Sequence, residues 1–140
     1  MDLSKLTNKV AAVVIADGKM LVFQGKDNKW GFPDVVLGDD EKVDNAIINL
    51  AKSKMGIDVV PAAEIGSIEK SDGAGVEIVM FIHANASNLA NISMPGDYVA
   101  SDYVSFDQFG ALDLAESEKM FLDVCADDLH CFDPFFFYYN

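Results

Sequence analysis

The side chains best suited to chemistry lie in and around one stretch, Trp30 to Ile57, which reads WGFPDVVLGDDEKVDNAIINLAKSKMGI. Asp34, Asp39, Asp40, Glu41 and Asp44 crowd the approach to a helical pattern, and Asp102 stands apart on a later strand pattern. Gathered together, carboxylates are the hard oxygen donors that a divalent cation needs to offset its dehydration. Spread along a loop, they are solvated charges or favourable partners of a helix N-terminus. Lys26 and Lys29 precede Trp30 and offer ammonium groups to a phosphate, while Trp30, Phe32 and Tyr103 offer rings to a base or to a core. His83 sits in a nearly continuous apolar run and reads as a core histidine. Cys125 and Cys131 flank ADDLH, short of the four ligands of a structural zinc site, and read as reduced thiols with a disulfide left open. The chain offers no convincing Ser-His-Asp set or P-loop.

Elements that hold these groups follow from periodicity. Lys9 to Ile15 and Lys19 to Gln24 flank Asp17-Gly18, a strong hairpin signal. Val43, Ala46, Ile47, Leu50, Ala51 and Met55 recur at three- and four-residue spacing, which marks one face of a helix that Gly56 stops. Ile57 to Val60 reads as extended and ended by Pro61. Glu64 to Lys70 and Val76 to His83 form a second hairpin, whose second arm is apolar enough to be central in a sheet. Asn85 to Asp97 reads as a loop, Tyr98 to Phe106 as a strand, and Leu114 to Val124 as a helix with Met120, Phe121 and Val124 inward.

Composition narrows the function. At 140 residues and 51% hydrophobic, the chain reads as one domain, residues 1–140, with a real core. A net charge of −13 repels nucleic acid and anionic membranes, so neither is expected as a partner. All ten basic residues are lysines, so the bidentate guanidinium clamp for phosphate is missing. The short apolar run Val10 to Ile15 is no signal-peptide core, and no run is long enough to span a bilayer. A cytoplasmic protein is expected. Residues 129–140 form an aromatic tail (Phe132, Phe135, Phe136, Phe137, Tyr138, Tyr139) that either packs on its own domain or serves as a homo-oligomer or protein-partner surface.

The order hairpin, WGFP, acidic loop, helix ending in Gly-Ile, further strands and a late helix resembles the Nudix hydrolase family. The family's box is G-x5-E-x7-R-E-U-x-E-E-x-G-U, led by an aromatic-Pro segment. With Trp30-Gly31-Phe32-Pro33 on the lead-in, Gly56-Ile57 falls on the closing Gly-U without a gap. The resemblance covers roughly residues 8–128 and implies an α/β (α+β) fold, an α/β/α sandwich around a mixed sheet. The box positions that carry the chemistry are replaced. Its opening Gly falls on Val35, its Arg on Asn49, and its three metal-binding glutamates on Leu50, Ser53 and Lys54, while Glu41 keeps the early Glu.

Positions 50, 53 and 54 share one helix face, so they would aim at one ion. Here they supply an isobutyl group, a hydroxyl and an ammonium, and metal-assisted phosphoryl chemistry lacks its donors. The resemblance with these losses implies a binder of a nucleotide-like ligand or protein partner, without catalytic residues or cofactor. Lys26, Lys29, Trp30, Phe32 and Tyr103 are its candidate ligand contacts. The alternative is a divergent, magnesium-dependent pyrophosphohydrolase acting on a nucleoside diphosphate derivative, with Asp40, Glu41 and Asp102 around a displaced metal. A self-assembling module built on the tail is a third reading.

Overall fold

A computed structural model describes residues 6–71, 75–86, 92–93, 96 and 98–127. The tail and Cys131 lie outside the described residues, as do the side chains of Val124 and Cys125. Strand β1 (Leu6–Ala16) turns at Asp17-Gly18 into β2 (Lys19–Gly25), as the hairpin signal predicts. Both turn residues have positive φ, +53° and +75°, the geometry that matches the twist of paired strands. The hairpin is short at its base. Only Ile15–Met20 and Ala16–Lys19 pair directly, and the strands then part.

The stretch after Lys29 fills the parting. Strand β3 (Trp30–Gly31) pairs with β2 through Phe23 and Gln24, and β4 (Asp34–Val36) pairs with β1 through Lys9, Val10 and Ala11. Strand β6 (Val76–Ala86) lies parallel to β1 along ten positions, between β1 and β5 (Val59–Ser71). It is central, as its apolar run demands. Strand β7 (Tyr98–Val104) pairs with β2, giving a mixed seven-stranded sheet.

Alternation along β1 decides the layers. Val10, Ala12 and Val14 face helix α1 (Val43–Leu50), while Ala11, Val13 and Ile15 face α2 (Phe106–Ala111) and α3 (Glu116–Asp127). The result is the expected α/β/α sandwich. Helix α1 buries Ala46, Ile47 and Leu50, continues as a π-helical turn over Ala51–Met55, and ends at Gly56 with φ +70°. The amide of Ile57 then donates to the carbonyl of Ala51 at 3.2 Å, across the left-handed Gly56 that stops the helix.

Three expectations need correction. Pro61 does not end a strand, because β5 runs on to Ser71. It lies on the sheet edge beside a register shift between Pro61 and Ala63, where a missing N–H is tolerated. Strand β7 stops at Val104, and the following residues form α2 rather than more strand. Ser105 is its N-cap, its hydroxyl accepting from the Gln108 amide at 3.3 Å while the Gln108 side chain accepts from the Ser105 amide at 2.9 Å. Helix α3 begins at Glu116, since Leu114 is held in a bridge to Trp30.

Candidate functional site

The helix face that would carry a metal does not present donors. Leu50 is 4% exposed and belongs to the core beneath α1, where it extends the apolar stripe of Ala46 and Ile47. Ser53 turns its hydroxyl back to its own helix, donating to the Asn49 carbonyl at 2.6 Å, and Asn49 and Lys54 are exposed. Val35 is half-buried against the same core. Glu41 accepts from the Gly38 amide at 3.2 Å and so ties off the acidic loop. Asp40 is exposed, and Asp102 accepts from the Tyr103 amide at 2.8 Å within its own strand. Among the described residues no three Asp, Glu, His or Cys side chains converge as a metal site.

The candidate ligand residues scatter in the same way. Lys26 is exposed on the turn after β2. Lys29, expected as a phosphate contact, instead places its ammonium 2.8 Å from Asp113 Oδ1, and that bond holds the Asp113 carboxyl below its ordinary pKa. Phe32 is corrected from ligand contact to core. It is 2% exposed and stacks on Phe109 with ring centres 5.1 Å apart, with Phe81 edge-on at 6.0 Å, so the ring is closed off from a ligand. Trp30 packs half-buried beside this core while its backbone bonds to Asp113 and Ala115. Tyr103 is half-buried on the opposite, α1 side of the sheet. His83 is 3% exposed, and its Nε2 lies 3.0 Å from Asn85 Oδ1, in keeping with a core histidine.

A cleft opens where the β1–β2 hairpin parts. Its cavity of about 280 Å³ is bounded by the sheet residues Lys9, Phe23, Lys70 and Glu77, the lead-in residues Gly31 and Asp34, and the first turn of α3. Glu77 Oε1 holds both ammoniums, Lys9 at 3.4 Å and Lys70 at 3.6 Å. Phe23 forms a buried wall and stacks on Tyr98 with ring centres 5.0 Å apart.

Glu118 was not legible as a site residue, yet it is the one buried acid of the cleft. It is 4% exposed, and its Oε1 accepts from the Phe32 amide at 3.2 Å. The fit depends on Gly31, where a Cβ would stand 2.8 Å from the Glu118 carboxyl carbon. Burial pushes its pKa up to about 7 from an ordinary 4.5; the Phe32 amide opposes the rise and Asp34 adds to it. Asp34, part of which reaches solvent, is also raised, chiefly by desolvation and against the pull of Lys9.

The native state therefore binds a proton more tightly than the unfolded chain, and this contribution to stability is lost as pH rises from about 4.5 to about 7. Glu118→Gln should remove that loss. Urea unfolding across this range should show wild type falling relative to the variant by about 2–3 kcal/mol; parallel curves would contradict the buried-acid assignment.

No protein-family model matches the sequence, and no curated protein matches it significantly. Solved structures do match. The MutT protein from Methanosarcina mazei Go1 superposes with a TM-score of 0.75 at 17% identity, covering 91% of this chain and 99% of that one. The chain has the Nudix fold. A MutT Nudix hydrolase from Burkholderia pseudomallei gives a TM-score of 0.69 at 19% identity, over 84% of this chain and 96% of that one. A bifunctional NMN adenylyltransferase/ADP ribose pyrophosphatase from Francisella tularensis, complexed with AMP and a manganese ion, gives 0.67 at 18% identity, over 89% of this chain and 42% of that one. On this Nudix fold, a buried leucine, a hydroxyl bonded to its own helix and an exposed ammonium do not fit a divalent cation.

Proposed function

We propose that this chain is a divergent member of the Nudix hydrolase family that binds a nucleotide-like ligand without hydrolysing it. The observation that carries the reading is Leu50, built into the core where the family places a metal-binding carboxylate. Phosphoanhydride cleavage on this fold needs an ion to neutralise charge and activate water. Ser53 and Lys54 on the neighbouring positions supply no substitute. The cleft beside Glu118 offers a walled space for part of a small ligand. No helix among the described residues is long and apolar enough to cross a membrane. With the charge of −13, this supports a cytoplasmic protein with small-molecule or protein partners rather than nucleic acid.

The test is turnover. ADP-ribose, nucleoside triphosphates and dinucleoside polyphosphates are incubated with the full chain and magnesium or manganese, and released phosphate and nucleoside monophosphate are measured. The expected result is no release above the protein-free rate. Release that a chelator abolishes would overturn the reading in favour of the divergent pyrophosphohydrolase.

A further inference from the structure

The cleft's charged groups are unevenly committed. Its two sheet lysines, Lys9 and Lys70, share Glu77, and Lys29 at the rim is paired with Asp113. Glu118 has no ion pair among the described residues; its Oε1 accepts from the backbone amide of Phe32. A carboxyl group lining a cavity while 96% buried, with its neighbouring cations already engaged, is complementary to a donor. An anion entering the same space would meet Glu118 and Asp34 together, and would have to break the Lys9–Glu77–Lys70 set to gain a counter-charge. The first turn of α3 attracts anions by its dipole, but Glu116 and Glu118 already occupy that end.

Resting on the reading that this cleft receives the part of a nucleotide-like ligand that carries no phosphate, we infer that Glu118 determines specificity there, selecting a neutral or cationic group rich in N–H donors, such as an amidine or an aminated nitrogen heterocycle, and rejecting phosphate. The ionised carboxylate accepts two parallel N–H bonds from such a group, a geometry that a phosphate cannot offer. Asp34 from β4, Lys9 from β1, Lys70 from β5 and Glu77 from β6 are the other charged groups facing it from the sheet side, and Lys9 and Lys70 are balanced by Glu77. Protonation of Glu118 removes one acceptor site and the charge.

Benzamidine and inorganic pyrophosphate are the probes, titrated separately into the full ¹⁵N-labelled chain at pH 8 and pH 6. Benzamidine should shift the amides of Gly31, Phe32 and Glu118, and bind about ten-fold more weakly at pH 6, because a group of pKa about 7 is then about one-tenth ionised. Glu118→Gln should bind more weakly at pH 8 and lose the pH dependence. Pyrophosphate should leave these amides unmoved in wild type and shift them in Glu77→Gln, where Lys9 and Lys70 are released. This second variant keeps the test decisive if Glu118→Gln folds poorly. Pyrophosphate shifting the three amides of wild type, or benzamidine binding equally at both pH values, would overturn the inference. Neither outcome bears on turnover, so failure here is distinct from failure of the non-hydrolytic reading.

Discussion

Leu50→Glu is expected to destabilise the protein by about 4–5 kcal/mol, while Ser53→Glu combined with Lys54→Glu changes stability by no more than about 1 kcal/mol. The contrast follows from burial. Leu50 is 4% exposed among Ala46, Ile47, Ala51 and Met55, and a carboxylate there would lose its water with no cation in the surrounding cluster to replace it. Part of the cost is also the loss of an aliphatic side chain from a packed core. Ser53 and Lys54 are exposed, so glutamates there meet solvent, with only an unfavourable interaction at the negative end of the helix. Urea unfolding of the three proteins measures this directly. For the proposed function, positions 50, 53 and 54 are therefore not equivalent: carboxylates at 53 and 54 would sit on the surface, whereas one at 50 would be placed in the core at the expense of the fold. A Leu50→Glu protein as stable as wild type would show that the position opens readily to solvent, and the structural basis of the non-hydrolytic reading would fall.

The frame of this fold was legible because its signals are local. The Asp17-Gly18 turn, the helical spacing from Val43 to Met55 and the Gly56 stop each need only a few neighbouring residues, and the structure places all three as read. Helix α2 is equally local in its signal. Ser105 and Gln108 carry the Ser-x-x-Gln capping signature, but the alternation that starts at Tyr98 runs on to Phe106, two residues past the end of β7, and masks it.

The cleft was illegible for a different reason. Glu118 is one of 23 acidic residues, and what distinguishes it is contact with Phe32, 86 positions away. Its spacing of three from Phe121 does put the two on one helix face, a weak signal that the acid points inward. Lys29 looked available to a phosphate because its partner, Asp113, is 84 positions distant. Phe32 looked like a rim aromatic because nothing in WGFP reveals that Phe109 and Phe81 close over it. Pairings of this kind come only with the tertiary fold.

Phe121→Ala is expected to cost about 3–5 kcal/mol and, beyond that, to disorder the Glu118 side of the cleft. Phe121 is fully buried and stacks on Phe81 of the central strand with ring centres 3.9 Å apart and planes 9° from parallel. It sits one turn after Glu118 on α3, so the same helix segment that fills the core also sets the acid against Gly31 and Phe32. Removing the ring leaves a void between helix and sheet that the strands, paired on both sides at β6, cannot close by moving inward. The helix is then held mainly at its start, through the Ala115 amide to the Trp30 carbonyl at 2.8 Å and the neighbouring Leu114. Two measurements separate the effects. Urea unfolding gives the stability loss, and native-state hydrogen exchange at the Phe32 amide reports whether Glu118 still accepts from it. Under conditions where the variant is folded, that amide should exchange at least about ten-fold faster than in wild type, while amides of β1 and β6 remain protected. Unchanged protection at Phe32 would mean that the loop positions Glu118 independently of the aromatic stack, so that core and cleft are not mechanically joined through α3.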